Sequence, residues 1–460
     1  MVAPTTPRHG PRPPRPRPPV SRRRLVGGLV AALALAGMVG AWVWWPARGG
    51  PILRVVAFDH PIGALAVDPT TGRSFVLTLG AGDAPSRVTM LDARTGAPLR
   101  TVAVGVVAGG GTAALDVDAR GGRVAAAAAN DAGGGTVAVL DAHTGAVLRR
   151  MGTLTSPIDV ALDVRRGRVV VAGMGAQIGA ALRDSGVDVR DALTGDRVRA
   201  GRAGVALAVA VDRRAGCVVA VSQALSGVGG TVAALDVRTG RPLWSVARRV
   251  RATPHGVSVD ERTGRALIAE DDGVAVLDTR TGRLLRIVQV GGPPLSVVAD
   301  PSRHRAFVTV PGQVGMSRLV VLDSRDGRPL HTVPLPANVV ATALDARRGR
   351  LVVTSVGVGG GAGGETGRAS GAAWAGTLTV LDVRGGSVRR GRAITLPGII
   401  GGTVIDEGTG YLVVISTPGP GPPPDPRAWV PGWLQRWVPA LRPATGPPPG
   451  GRVLLLDVAR

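Results

Sequence analysis

Two apolar phrases alternate along this chain, and each runs into a polar turn. The first has the form (V/L)-x-(V/L)-x-D-x-x-(T/x)-G-x-x-L. It reads VTMLDARTGAPLR from Val88, VAVLDAHTGAVLR from Val137, VAALDVRTGRPLW from Val232, VAVLDTRTGRLLR from Val274, LVVLDSRDGRPLH from Leu319 and LTVLDVRGGSVRR from Leu378. A worn copy, VDVRDALTGDRVR, starts at Val187, and a truncated one, VLLLDVAR, ends the chain. The second phrase, (V/L)-x-D-x-x-x-G-R-x-x-(V/L), is anchored on Asp68, Asp118, Asp163, Asp212, Asp260, Asp300, Asp345 and Asp406. Apolar runs this short predict strands, and a unit of strands returning every roughly 40 to 50 residues cannot bury its faces alone. The pattern therefore predicts an all-β β-propeller of four-stranded blades over residues 52–460. The count is eight blades, or seven if the worn copy around Asp191 forms none.

The turns carry their own chemistry. An Asp opening D-x-x-T-G accepts backbone amides two and three residues on, and the Gly supplies the positive φ that closes a bulged hairpin. Asp92 with Gly96, Asp141 with Gly145, Asp236 with Gly240 and Asp278 with Gly282 are the clearest pairs. Sixteen of the 32 acidic residues are turn Asp residues of the two phrases, so half of the carboxylates have a structural use before any catalytic one is sought. The last copy stops one strand short, while PILRVVAFD at Pro51 to Asp59 matches the outer strand that follows the T-G turn elsewhere. Pairing the N-terminal strand with the C-terminal blade would close the ring and remove its free edge.

Ahead of the repeats lie three segments. Residues 1–24 hold seven Arg and eight Pro with no acid, the composition of a disordered basic tail on the cytoplasmic side. Residues 25–45 are uncharged and long enough for an apolar helix to cross a bilayer, with Arg22 to Arg24 before them and Trp42, Trp44 and Trp45 at the far end. Residues 46–51 form a linker. This arrangement predicts a single-pass cell-membrane protein with its propeller outside. Ser21 to Leu25 also fits a twin-arginine export signal, and Ala34-Leu35-Ala36 or Val39-Gly40-Ala41 a cleavage site, in which case the propeller is exported and released.

A formal charge of +23 changes this picture little. Seven of the positive charges are in the tail, and with 3% aromatic residues the chain has few rings to stack on bases, so no nucleic-acid partner is expected. Cys217 is the single cysteine, which rules out an intrachain disulfide and a CxxC zinc or haem pattern; it lies in an apolar run and reads as an inert core thiol.

Candidate chemistry is sparse. His60, His255 and Glu270 are the acid/base set that the channel mouth suggests. Glu270, Asp271 and Asp272 form an acidic loop of the kind that contributes to Ca²⁺ sites, although no cofactor is expected. Two inserts stand out, a Gly-rich one at 357–376 and a Pro-rich one at 417–451. The latter spaces Trp429, Trp433 and Trp437 four residues apart and reads as a partner-docking patch, a lid over the propeller mouth or a membrane-surface anchor.

Taken together, the D-x-x-T-G and V-D-x-x-x-G-R phrases resemble those of YVTN or YncE-like bacterial propellers, within the quinoprotein-like group. The resemblance spans about Ile52 to Arg460 and implies the same ring of blades. Ala234 to Trp244 matches the A-x-D-x-x-T-G-x-x-x-W docking motif of eight-bladed quinoprotein dehydrogenases, which implies that Trp244 packs between blades. Those enzymes use a vicinal cysteine pair and a Ca²⁺-bound quinone, and a chain with one cysteine lacks the pair. The expected function is that of a membrane-tethered, extracytoplasmic, non-catalytic binding or assembly scaffold, with a protein or cell-envelope polymer partner on the irregular loop face. The alternative is a channel-mouth enzyme, such as a lactonase-like hydrolase or a divergent quinoprotein-like dehydrogenase.

Overall fold

The computed structural model describes residues 51–458 apart from short connections between strands and the stretches 359–373 and 418–449. The tail, the apolar segment 25–45, Asp272 and the three Trp residues of the Pro-rich insert therefore lie outside the described residues. Eight four-stranded antiparallel sheets follow one another, blade I over Ile62–Val106 and blade VII ending at Pro397. Blade VIII takes Ile399–Ile405, Tyr411–Thr417 and Arg452–Asp457 from the C-terminus and Ile52–Ala57 from the N-terminus. The innermost strand of each blade touches that of the next, and blade I touches blade VIII, so the ring is closed using nothing upstream of residue 51.

The two sequence phrases turn out to be two ends of one device. In blade I, Asp92 Oδ1 accepts the amides of Arg94 and Thr95 at 3.0 and 2.9 Å, which folds the third-to-fourth strand turn. Gly96 then adopts φ 65°, a conformation that an L side chain resists. The other oxygen of Asp92 holds Arg73, the Arg of the second phrase, at 2.9 Å across a directly paired register position. Arg123–Asp141, Arg168–Asp191 and Arg265–Asp278 repeat the pair at 2.6 to 2.8 Å. The worn third copy is thus a complete blade: Asp191 caps Leu193 and Thr194 at 2.9 Å and keeps its arginine.

Between blades the second and third strands meet face to face, which explains their uninterrupted apolar runs. Among the described residues, eight apolar clusters correspond to the eight interfaces. One joins Val219 and Val221 of blade IV to Ile268 and Leu277 of blade V, and another joins Val76 and Leu91 of blade I to Val413 and Leu455 of blade VIII. Cys217 is buried in the first of these, 1% exposed, with Sγ 3.6 Å from the carbonyl of Thr279. Burial, and the Asp212 carboxylate nearby, push its thiol up to about 12, so it is not a nucleophile at neutral pH.

Candidate functional site

An inner strand of a propeller pairs on one side only, and its other edge faces the central channel with unpaired amides. This chain answers those amides with side chains from neighbouring blades. A cavity of about 320 Å³ opens in the channel where the inner strands of blades II to V converge. Its walls include Leu115, Val160, Val209 and Val257, and its polar groups are Asp116, Asp159, Arg213, Ser258 and Glu261.

Each of these polar groups spans an interface. Asp116 of blade II accepts the amide of Leu162 in blade III at 2.7 Å. The carbonyl of the same Leu162 accepts from Arg213 Nη2 of blade IV at 3.1 Å, and Nη1 of that guanidinium reaches Glu261 of blade V at 3.2 Å. Asp159 of blade III accepts its neighbour Val160 with one oxygen and Val209 of blade IV with the other, both at 2.9 Å. Ser258 Oγ accepts the amide of Ala299 in blade VI at 3.1 Å. Further round the ring the hydroxyl pairs Thr309–Thr342 and Thr354–Thr403 link neighbouring blades side chain to side chain, and Glu407 of blade VIII accepts the amide of Ala346 in blade VII at 2.9 Å.

Burial raises both channel aspartates. Asp159 reaches about 6, because burial and the charge of Asp116 together outweigh its two amide donors. Asp116 is raised by burial against the pull of the Leu162 amide and of Arg213. The cavity therefore combines two reluctant carboxylates, a guanidinium and a glutamate between apolar walls. It suits a proton or a small cation better than an anion, and Asp159 titrates in the range useful for acid/base work.

The residues singled out from the sequence fall elsewhere. Glu270 is 1% exposed and clamped by Arg248, whose Nε and Nη2 each lie 2.6 Å from one carboxylate oxygen. Asp271 follows in the adjoining turn of blade V, and His255 lies in the inner strand of that blade. His60 sits half-buried at the entrance to blade I, opposite blade V in the ring, so the fold does not bring His60 and Glu270 together. Among the described residues no group of three or more His, Cys, Asp or Glu is placed to hold a metal ion. Trp244 lies between blades IV and V: its Nε1 donates to the carbonyl of Thr279 at 2.9 Å, and its ring covers Gly282, where a Cβ would come within 2.5 Å of Cδ2. The channel residues Asp116, Asp159, Arg213 and Glu261 are ones that sequence reasoning missed. Aligning the eight inner strands on their terminal Asp would have flagged two of them: Asp116 is two positions before that Asp and Asp159 four, where other blades carry Ala, Gly, Ser or Val.

The closing strand, the eight interfaces and the channel staples decide the architecture. The chain is an eight-bladed β-propeller. It is similar to Sqt1 of Saccharomyces cerevisiae, at 12% identity over 80% of this chain and 96% of that one, with a TM-score of 0.54. A europium-containing methanol dehydrogenase matches at 14% identity over 88% of this chain and 94% of that one, with a TM-score of 0.51. The β-propeller domain of Cps50 (Swd1) from Myceliophteria thermophila matches at 10% identity over 88% and 99%, with a TM-score of 0.50. At these identities the likeness is one of fold. No family model and no curated protein matches the chain, so the YVTN or YncE-like resemblance stays with the repeat residues that carry it.

Proposed function

We propose that this protein is a membrane-tethered, extracytoplasmic scaffold that binds a protein or cell-envelope polymer and performs no catalysis itself. The observation that carries the reading is the use made of the channel: Asp116, Asp159 and Arg213, the groups best suited to chemistry, each hold the backbone of a neighbouring blade. Glu270 is likewise committed to Arg248, which removes the strongest member of the expected acid/base and Ca²⁺ sets. The tether is the apolar segment 25–45, and the partner surface is the irregular loop face, where the strands Arg350–Val358 and Tyr411–Thr417 end and Trp374–Asp382 and Arg452–Asp457 begin.

Elemental analysis with native mass spectrometry on residues 51–460 tests this. The expected mass is that of the polypeptide, without stoichiometric calcium or an organic cofactor. A stoichiometric metal or cofactor would overturn the scaffold reading in favour of a channel enzyme built around Asp159.

A further inference from the structure

We infer that the turn face of the propeller docks onto an anionic lipid bilayer, with the irregular face pointing away from it. The inference deepens the proposed tether and rests on it for orientation. Three observations converge.

The first is where the chain enters the ring. The carbonyl of Pro51 accepts the amide of Asp457, the turn Asp of the last copy, at 2.8 Å. The closing strand runs antiparallel from there, so its start lies on the face of the D-x-x-T-G turns. Arg54, two residues into that strand, reaches the carbonyl of Thr95 in the adjacent turn of blade I. Only residues 46–50 separate Pro51 from the uncharged segment 25–45, and five residues span at most about 18 Å. A bilayer-spanning segment would thus hold this face, and not the opposite one, within reach of the headgroups.

The second is the balance of charge on that face. Asp92, Asp141, Asp191 and Asp278 are directed inward, where they cap amides and hold Arg73, Arg123, Arg168 and Arg265, while Asp323 and Asp382 pair with Arg325 and Arg384 at the tips. Arg94, Arg165, Arg214, Arg238, Arg262 and Arg280 remain exposed at the tips of the turns. Among the described residues, the acids of these turns that are exposed rather than half-buried or buried are Asp196 and Asp326. A surplus of guanidinium groups spread over one face of a ring is complementary to a plane of phosphates.

The third is that the turns are rigid. In blades I, II, III and V the third-to-fourth strand turn is fixed by a capped Asp, a left-handed Gly and a cross-strand Arg, so the level of these tips is set by the ring and little side-chain or loop ordering is needed to meet a flat surface.

The test uses residues 51–460, whose ring closes without the upstream segment, so that failure of docking is separate from failure of the tether. Sedimentation with vesicles of phosphatidylcholine alone is compared with vesicles containing 30 mol% phosphatidylglycerol. Binding is expected only to the anionic vesicles and is expected to fall as salt rises. The quadruple variant R94E/R214E/R262E/R280E should lose at least about tenfold in partition coefficient, since each basic residue near an anionic surface contributes several-fold. The same charge change on exposed arginines further from the turns, R87E/R150E/R392E/R452E, should leave most of the binding in place. An equal loss in both variants would reduce the effect to overall charge and overturn the inference, as would no binding to anionic vesicles.

Discussion

Propeller lacking residues 51–57 is expected to melt about 10 °C lower than residues 51–460 and to form higher-order species on gel filtration. The deleted strand pairs five positions with the last strand of the chain, from Ile52 opposite Leu456 to Ala57 opposite Arg452. It covers Leu454 and Leu456 with Ile52 on one interface, and its Leu53 and Val56 pack in the cluster joining blades VIII and I. Losing three partly buried apolar side chains and a ladder of hydrogen bonds costs roughly 5 kcal/mol, more than most point mutations. At 2 to 4 °C per kcal/mol for large domains, that gives the expected shift. The exposed edge of Arg452–Asp457 is also a template for pairing with another copy, which accounts for the oligomers. Appending residues 51–57 after Arg460 through a Thr-Gly turn should restore both the melting temperature and the original elution, because the strand would then occupy the place it holds in the other blades. A truncated protein with unchanged melting and elution would show that the closing strand is dispensable.

The second large effect is on pH. Asp159 binds its proton more tightly in the folded state, about 6 against the ordinary 3.8, so the unfolded chain releases that proton first as pH rises. Stability is therefore greatest where both states are protonated, falls between about pH 4 and pH 6, and is flat above. A shift of about two units corresponds to roughly 3 kcal/mol. Asp116, also raised by burial, acts in the same direction. The turn aspartates act oppositely. Burial alone would raise Asp92, Asp141 and Asp278, but their amide and Thr hydroxyl donors and Arg partners hold them below the usual value, so their contribution is lost as pH falls below about 4. Urea unfolding from pH 4 to 7 should show the decline in the native protein and most of it removed in D159N. The Asn variant is also expected to be less stable at pH 4, since its amide nitrogen cannot accept the second backbone amide. Parallel pH profiles for the two proteins would contradict the account of the channel.

These two predictions differ in how far they could be read without coordinates. The blades were legible because Asp92, Thr95 and Gly96, or Asp278, Thr281 and Gly282, make their turn from residues close in sequence, and because Pro51 to Asp59 repeats an outer strand visible elsewhere. The channel was not, because Asp116, Asp159, Arg213 and Glu261 come from four blades and meet only once the ring has closed. Glu270 illustrates the converse. Beside Asp271 and Asp272 it reads as an exposed acidic loop, but the pairing of Pro254 with Glu270 and the bidentate hold of Arg248 bury it. Trp244 was legible from its motif, since the partner it needs, Thr279, lies in the turn of the very next blade.

The tethered scaffold stands most directly on which side of the membrane the propeller occupies. Cys217 is buried and its thiol is pushed up to about 12, so it should stay silent while an introduced cysteine reports. Gln289, exposed after the last strand of blade V on the irregular face, is a suitable site. Full-length Q289C in cells stripped of their wall should react with a membrane-impermeant maleimide before lysis and sediment with the membranes. Labelling that appears only after lysis would place the propeller in the cytoplasm and contradict the account.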